Sequence, residues 1–126
     1  MQAYLLVGAG GALGAMARHG FSSAVGHFWP APFPYATLLI NIFGSLAMGL
    51  LVGILARVLP PAQDELRLFI AVGLLGGFTT FSAFSLDAIA LIERSQWAQA
   101  ALYILLSVVV SIAALYAGLL LTRAAA

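Results

Sequence analysis

Gly73-Leu74-Leu75-Gly76-Gly77-Phe78-Thr79-Thr80-Phe81-Ser82-Ala83-Phe84-Ser85 is the stretch on which the fold turns. It sits inside the uncharged run 68–86, which is apolar enough to be a helix in a membrane. Yet paired glycines and adjacent β-branched threonines are poor helix formers, so the helix is predicted to unwind across Gly76–Thr80. In a bilayer a broken helix survives only where protein, ion or water satisfies the freed backbone groups. A break at that depth therefore marks a site.

The rest of the chain supports a membrane setting. Hydrophobic residues make up 63% of its 126 residues and charged residues 7%. A soluble domain carries roughly 25% charged residues. The charges are Arg18, Arg57, Asp64, Glu65, Arg67, Asp87, Glu93, Arg94 and Arg123, which leave uncharged runs at 1–17, 19–56, 68–86 and 95–122. A helix needs about 20 apolar residues at ~1.5 Å rise each to cross a bilayer core. Each run accommodates one span, the second only from Tyr35, because His27 and Pro30, Pro32 and Pro34 precede it. The reading is an all-α membrane protein of four transmembrane helices, a single domain over residues 1–126. A net charge of +1 leaves no basic footprint for nucleic acid. The absence of cysteine rules out disulfides and thiolate metal sites. The N-terminus lacks the basic flank and cleavage site of a signal peptide, so the first apolar stretch is expected to be retained.

The predicted helices are Gln2–Ala24, Tyr35–Arg57, Asp64–Ile92 with its interruption, and Gln96–Leu121. Gly10 and Gly14, and again Gly49 and Gly53, have the spacing that lets helix backbones approach closely. The three alternating prolines of the 26–34 loop predict an extended, rigid link. Pro60-Pro61 marks the next turn, after which Gln63 or Asp64 is placed to cap the third helix. Four spans put Arg57, Arg67 and Arg123 on one side and Arg18 and Arg94 on the other. That is a feeble positive-inside bias, compatible with insertion in both orientations and hence with an antiparallel homodimer.

Polar residues within the spans form stripes. Thr37, Asn41 and Ser45 recur at helical i, i+4 spacing, as do Tyr103, Ser107 and Ser111, so each set shares one helix face. The bland alternative is interhelical glue at about 0.6 kcal/mol per hydrogen bond. Two full stripes, one with an amide, instead suggest a polar track of donors with almost no fixed charge, suited to a small ion. Phe81 and Phe84 follow the break at i, i+3, where free N–H groups leave positive potential. Aromatic ring edges are also positive, so such rings can meet an anion without carrying charge.

Three segments, Gly10-Gly-Ala-Leu-Gly14-Ala-Met-Ala-Arg18, Ala36-Thr-Leu-Leu-Ile-Asn41-Ile-Phe-Gly44-Ser45 and Gly73 to Ser85, resemble in order and separation the signature segments of the Fluc/CrcB fluoride channels. The resemblance covers essentially the whole chain, and its third segment is the most specific. It implies an antiparallel, dual-topology homodimer with two fluoride pores in a bacterial inner membrane, in contact with lipid. By the same resemblance Asn41 is a pore donor that orients the aromatic pair, and Phe81 and Phe84 present ring edges to fluoride. Tyr103, Ser107 and Ser111 match the track on the last helix, and Arg18 the arginine that draws anions into the vestibule. The carbonyls of Gly76 and Thr79 from both subunits match the site of a structural sodium ion. His19 stands where many members carry tyrosine, and Asp87 where some carry glutamate.

The function expected is passive export of fluoride and protection against its toxicity, without enzymatic activity. Hydrogen fluoride enters neutral, ionises in the less acidic cytoplasm, and leaves as the anion only through a pore. A small proton-coupled multidrug exporter is the alternative, but it needs a titratable group deep in the membrane, and Asp87 near the end of the third span is the one candidate. A scaffold or holin-like protein would need neither stripe nor break. The arginine distribution predicts that a pair of lysines added at the C-terminus forces one orientation and a pair added in the 26–34 loop the other. Each biased variant should fail alone in fluoride resistance and recover when both are co-expressed; normal resistance from either alone would exclude the antiparallel dimer.

Overall fold

The computed structural model describes residues 1–57 and 62–124, all helix and connecting turn. The elements are α1 (Gln2–Phe28), α2 (Tyr35–Leu55), α3 (Ala62–Leu66), a π-wound stretch (Arg67–Leu75), α4 (Gly76–Phe78), α5 (Phe81–Glu93) and α6 (Trp97–Ala124). Those from α3 to α5 follow one another as a single bent third helix. Pro60 and Pro61 lie outside the described residues. α3 opens at Ala62, so Gln63 and Asp64 fall within its first turn and do not cap it. Gln63 turns back instead, its Nε2 donating to the Leu55 carbonyl at 2.6 Å.

Three of the four long helices, α2, the third helix and α6, are long and apolar enough by themselves to cross a membrane. α1 has the length, but its glycines and Arg18-His19 dilute its hydropathy. α1 also outruns its expected end, continuing to Phe28, and stops where Trp29 precedes Pro30. A residue before proline is pushed out of the helical region, and Trp29 has φ −137° and ψ 72°.

The interruption of the third helix is narrower than its glycines suggest. Gly76 keeps helical angles, φ −62° and ψ −38°. The chain is extended only at Thr79 (φ −78°, ψ 158°) and Thr80 (φ −153°, ψ 126°). Threonine is β-branched and favours that region. Gly77 serves a different end. A Cβ there would lie 2.6 Å from the Gly11 carbonyl oxygen, so Gly77, like Gly73 one turn earlier, lets α1 press against the third helix. Upstream, the π stretch bonds across five residues instead of four, ending with the Gly76 N–H on the Ala71 carbonyl.

Two close pairs organise the protein. α1 runs alongside the π stretch and α4, in the same direction. A side chain on Gly10 would strike the Phe69 carbonyl, and one on Gly14 the Leu74 carbonyl. α2 and α6 pair in the same way, Gly49 against the backbone of Leu115 and Gly118 against that of Leu46 and Leu50. α5 then turns back on α6 through a bend in which Ser95 takes a left-handed φ of 60°. Between α2, α5 and α6 lies the core of Leu38, Phe84, Ala88, Leu91, Ala100 and Tyr103.

Large apolar side chains such as Met16, Leu86, Leu105, Val109 and Leu121 point outward, as a lipid surround requires. Of the charged residues, only Arg18 and Asp87 are partly buried; the others are exposed. The protein is therefore a multi-pass membrane protein with its charge kept to its ends. Because a Cβ at Gly14 meets fixed backbone, Gly14→Ala should cost about 1–3 kcal/mol and lower the Tm of the purified protein. Gly8→Ala, which meets nothing within 4 Å, should not lower the Tm, since alanine is the better helix former.

Candidate functional site

Breaking a helix at Thr79-Thr80 strips its neighbouring carbonyls of their i+4 donors, and side chains from two other helices answer. Asn41 of α2 meets Thr80 reciprocally: its Nδ2 donates to the Thr80 carbonyl at 3.0 Å, and its Oδ1 accepts the Thr80 N–H at 2.9 Å. One carboxamide thus satisfies both backbone groups of an extended residue. Thr80 caps α5, its Oγ1 accepting from the Ala83 N–H at 3.1 Å, the usual N-cap service of threonine. Thr79 folds back, its N–H and its Oγ1 each 2.9 Å from the Leu75 carbonyl oxygen. On the far side, Arg18 of α1 donates from Nε to the Gly77 carbonyl at 3.1 Å.

Beside the break lies a groove of about 320 Å³. Asn41 and Ser45 of α2 form one wall, Ser107, Val108, Ser111 and Ile112 of α6 another, and Thr79, Thr80, Phe81 and Phe84 the third. Among the described residues no charged side chain lines it. The hydroxyls of Ser107 and Ser111 are buried without a hydrogen-bond partner among the described residues. Thr122 on the same helix shows the contrast, since its hydroxyl donates back to the Gly118 and Leu119 carbonyls. Leaving a hydroxyl buried and unpaired costs about 1–3 kcal/mol, and two along one groove are donors open to a hydrogen-bond acceptor.

The aromatic pair is unequal. Phe84 is 8% exposed and Phe81 is 77% exposed, with ring centroids 5.4 Å apart and planes at 51°. Phe84 rests on Tyr103, centroids 5.2 Å apart, and Phe33 meets Tyr103 edge-on. Phe84 is thus fixed, while Phe81 stands out from the chain beside the groove.

Asn41, Phe81, Phe84, Ser107 and Ser111 all reach this groove. Tyr103, on the same stripe as the serines, lies beneath Phe84 at 0% exposure, and its hydroxyl donates to Asp87 Oδ2 at 3.2 Å. Arg18 lies across the broken helix from the groove, on the α1 side. Thr80 carries more of the local structure than its sequence position announced. Its clue was a threonine three residues before Ala83 at a helix start. The Arg18–Gly77 and Asn41–Thr80 contacts join residues 59 and 39 positions apart, and no local pattern could reveal either.

A bundle that gathers serine and threonine hydroxyls, an amide and two phenyl rings on one uncharged groove at a helix break has the layout of a small-ion transport protein. Its sequence agrees: residues 5–119 match the family described as CrcB-like protein, Camphor Resistance (CrcB), and the chain belongs to that family. It is 50% identical to a fluoride-specific ion channel FluC of Erythrobacter litoralis, over 98% of this chain and 93% of that protein. Against the fluoride-specific ion channel FluC of Rhodopseudomonas palustris it is 53% identical, over 96% of this chain and 97% of the relative. The corresponding protein of Rhodospirillum centenum is 49% identical over 99% of this chain and 98% of its own length.

The site separates two kinds of polar residue. Asn41→Asp removes the donor to the Thr80 carbonyl and sets a carboxylate against it, so it should lower the Tm and speed amide exchange at Thr80. Ser107→Ala and Ser111→Ala break no hydrogen bond among the described residues and should keep the Tm while reducing ion flux. A marked drop in Tm from either alanine would assign the serines to helix packing instead.

Proposed function

We propose that the protein is a fluoride-selective passive channel of the bacterial inner membrane, through which cytoplasmic fluoride escapes. The observation that carries this reading is the pair of unpartnered, buried hydroxyls, Ser107 and Ser111, in an uncharged groove with Asn41, Phe81 and Phe84. An anion in that groove meets hydroxyl and amide donors and positive ring edges without a basic side chain to trap it. Conduction requires binding favourable enough to enter and weak enough to leave. Fluoride is small and strongly hydrated, so donors fixed in a narrow track can replace its shell more fully than that of chloride. Tyr103 belongs to the same track by its position on the stripe and supports Phe84 from below.

The working unit is an antiparallel homodimer embedded in lipid. Two observations support it: the near-even arginine distribution, and Phe81, which projects from a single chain beside the groove and needs a covering surface. The carbonyls of Gly76 and Thr79 suit a structural sodium ion. Their i+4 donors are the N–H groups of Thr80 and Ala83, and both bond to side-chain oxygens instead, on Asn41 and Thr80. Among the described residues no cluster of three or more His, Asp or Glu is placed to hold a metal, so carbonyl oxygens are the donors on offer, which fits an alkali cation better than a divalent one. Such an ion would supply fixed positive charge at the break. An exporter driven by protons fits less well, because Asp87 is engaged by Tyr103 and does not line the groove.

Fluoride efflux from liposomes, with chloride and a lipophilic cation as controls, tests the reading. Phe81→Ile and Phe84→Ile keep bulk and remove the ring edge, so each should slow efflux by at least about tenfold, equivalent to ~1.4 kcal/mol in the barrier, while the protein stays folded. Wild-type efflux from both variants would remove the rings from the mechanism. Absence of fluoride efflux from the native protein would remove the function.

A further inference from the structure

Gly10, Gly14 and Arg18 recur every four residues, so they lie on one face of α1. The two glycines bring that face against the backbone from Phe69 to Phe78. One turn further on, Arg18 donates from Nε to the Gly77 carbonyl at 3.1 Å. In a continuous helix that carbonyl would accept the Phe81 N–H. Arg18 is partly buried, and among the described residues no carboxylate pairs with it. Its one side-chain hydrogen bond among the described residues is to a carbonyl that the break has stripped of its helical donor.

We propose that Arg18 is a positioning residue that holds the third helix in its broken form. Its Nε–H takes the place of the Phe81 N–H on the Gly77 carbonyl. That leaves Thr79 and Thr80 extended, with Thr80 within reach of Asn41 and Phe81 turned beside the groove. Without that donor the Gly77 carbonyl is left unpaired, the broken segment loses its tie to α1, and the bonds of Thr80 to Asn41 and of Ala83 to Thr80 open more often. α1 touches none of the groove, so this is how it acts on the groove: through the backbone. The role in holding the break stands apart from the identity of the ion; its consequence for flux rests on the channel reading above.

Two substitutions separate donation from charge. Glutamine carries its side-chain N–H at the same distance along the chain as the arginine Nε, so Arg18→Gln keeps the donor and removes the charge. Arg18→Met removes both. Amide exchange is measured in the purified protein at Thr80 and Ala83, whose bonds to Asn41 and the Thr80 hydroxyl exist only in the broken form. Gly49 and Gly118, in the α2–α6 pair, serve as controls. Arg18→Met should exchange at least tenfold faster at Thr80 and Ala83 with the controls unchanged, and Arg18→Gln within about threefold of native. Fluoride efflux should follow the same order. Native exchange in Arg18→Met, or exchange in Arg18→Gln as fast as in Arg18→Met, overturns the proposal, because charge alone or packing alone would then be the role of Arg18. Should Arg18→Met fail to fold, Arg18→Gln decides: native exchange supports the donor and a tenfold rise rejects it. If native protein carries no fluoride, the channel reading fails while the exchange result still stands.

Discussion

A bilayer core has no water with which to hydrogen-bond an exposed peptide group, and each group left unsatisfied there costs several kcal/mol. The rest of this structure depends on that constraint. A helix meets it automatically, and the third helix forfeits it at Thr79-Thr80. Asn41, the Thr80 hydroxyl and Arg18 then stand where backbone donors and acceptors would have stood. The three come from α2, from the break itself and from α1, so the interruption ties the bundle together. It is also what turns Phe81 and the threonines toward the serines of α6.

Those substitutes can reach the break only because helices approach more closely than ordinary side chains allow. Gly10 and Gly14 remove the side chains that would separate α1 from the third helix; Gly49 and Gly118 do so between α2 and α6. In lipid there is little hydrophobic gain from joining two apolar helices, so close van der Waals contact through small residues supplies much of the association. Because each glycine meets backbone and not a movable side chain, the contacts have little tolerance. Gly73 and Gly77 of the third helix follow the same logic, packing against α1 while the threonines bend the chain.

The groove is polar without being charged, and this links packing to transport. A basic side chain would bind an anion strongly and slow its departure, whereas hydroxyls, an amide and ring edges give a shallower field. Burial gives those weak groups their force, since a donor without a competing partner interacts more strongly at low dielectric. Ser107 and Ser111 have this character, and Thr122, about three and four helical turns beyond Ser111 and Ser107 on α6, does not. The difference lies in whether the hydroxyl is spent on its own helix.

Much of this was legible in the chain itself. The spacing of nine charged residues delimited the spans, and helical periodicity put Asn41 on the same face as Thr37 and Ser45. The local weakness of Gly-Gly-Phe-Thr-Thr located the break to within three residues. These features are local: they depend on transfer from water and on a repeat of 3.6 residues, both of which operate along a single segment. The tertiary structure alone decided that the threonines unwind while the glycines pack, and that a π turn precedes them. It also decided that Tyr103 lies under Phe84 with its hydroxyl on Asp87, and that Arg18 serves the Gly77 carbonyl. Each of those outcomes is a competition for one partner among groups far apart in sequence. Which group wins depends on the distance between helices, and that distance exists only once the helices have packed.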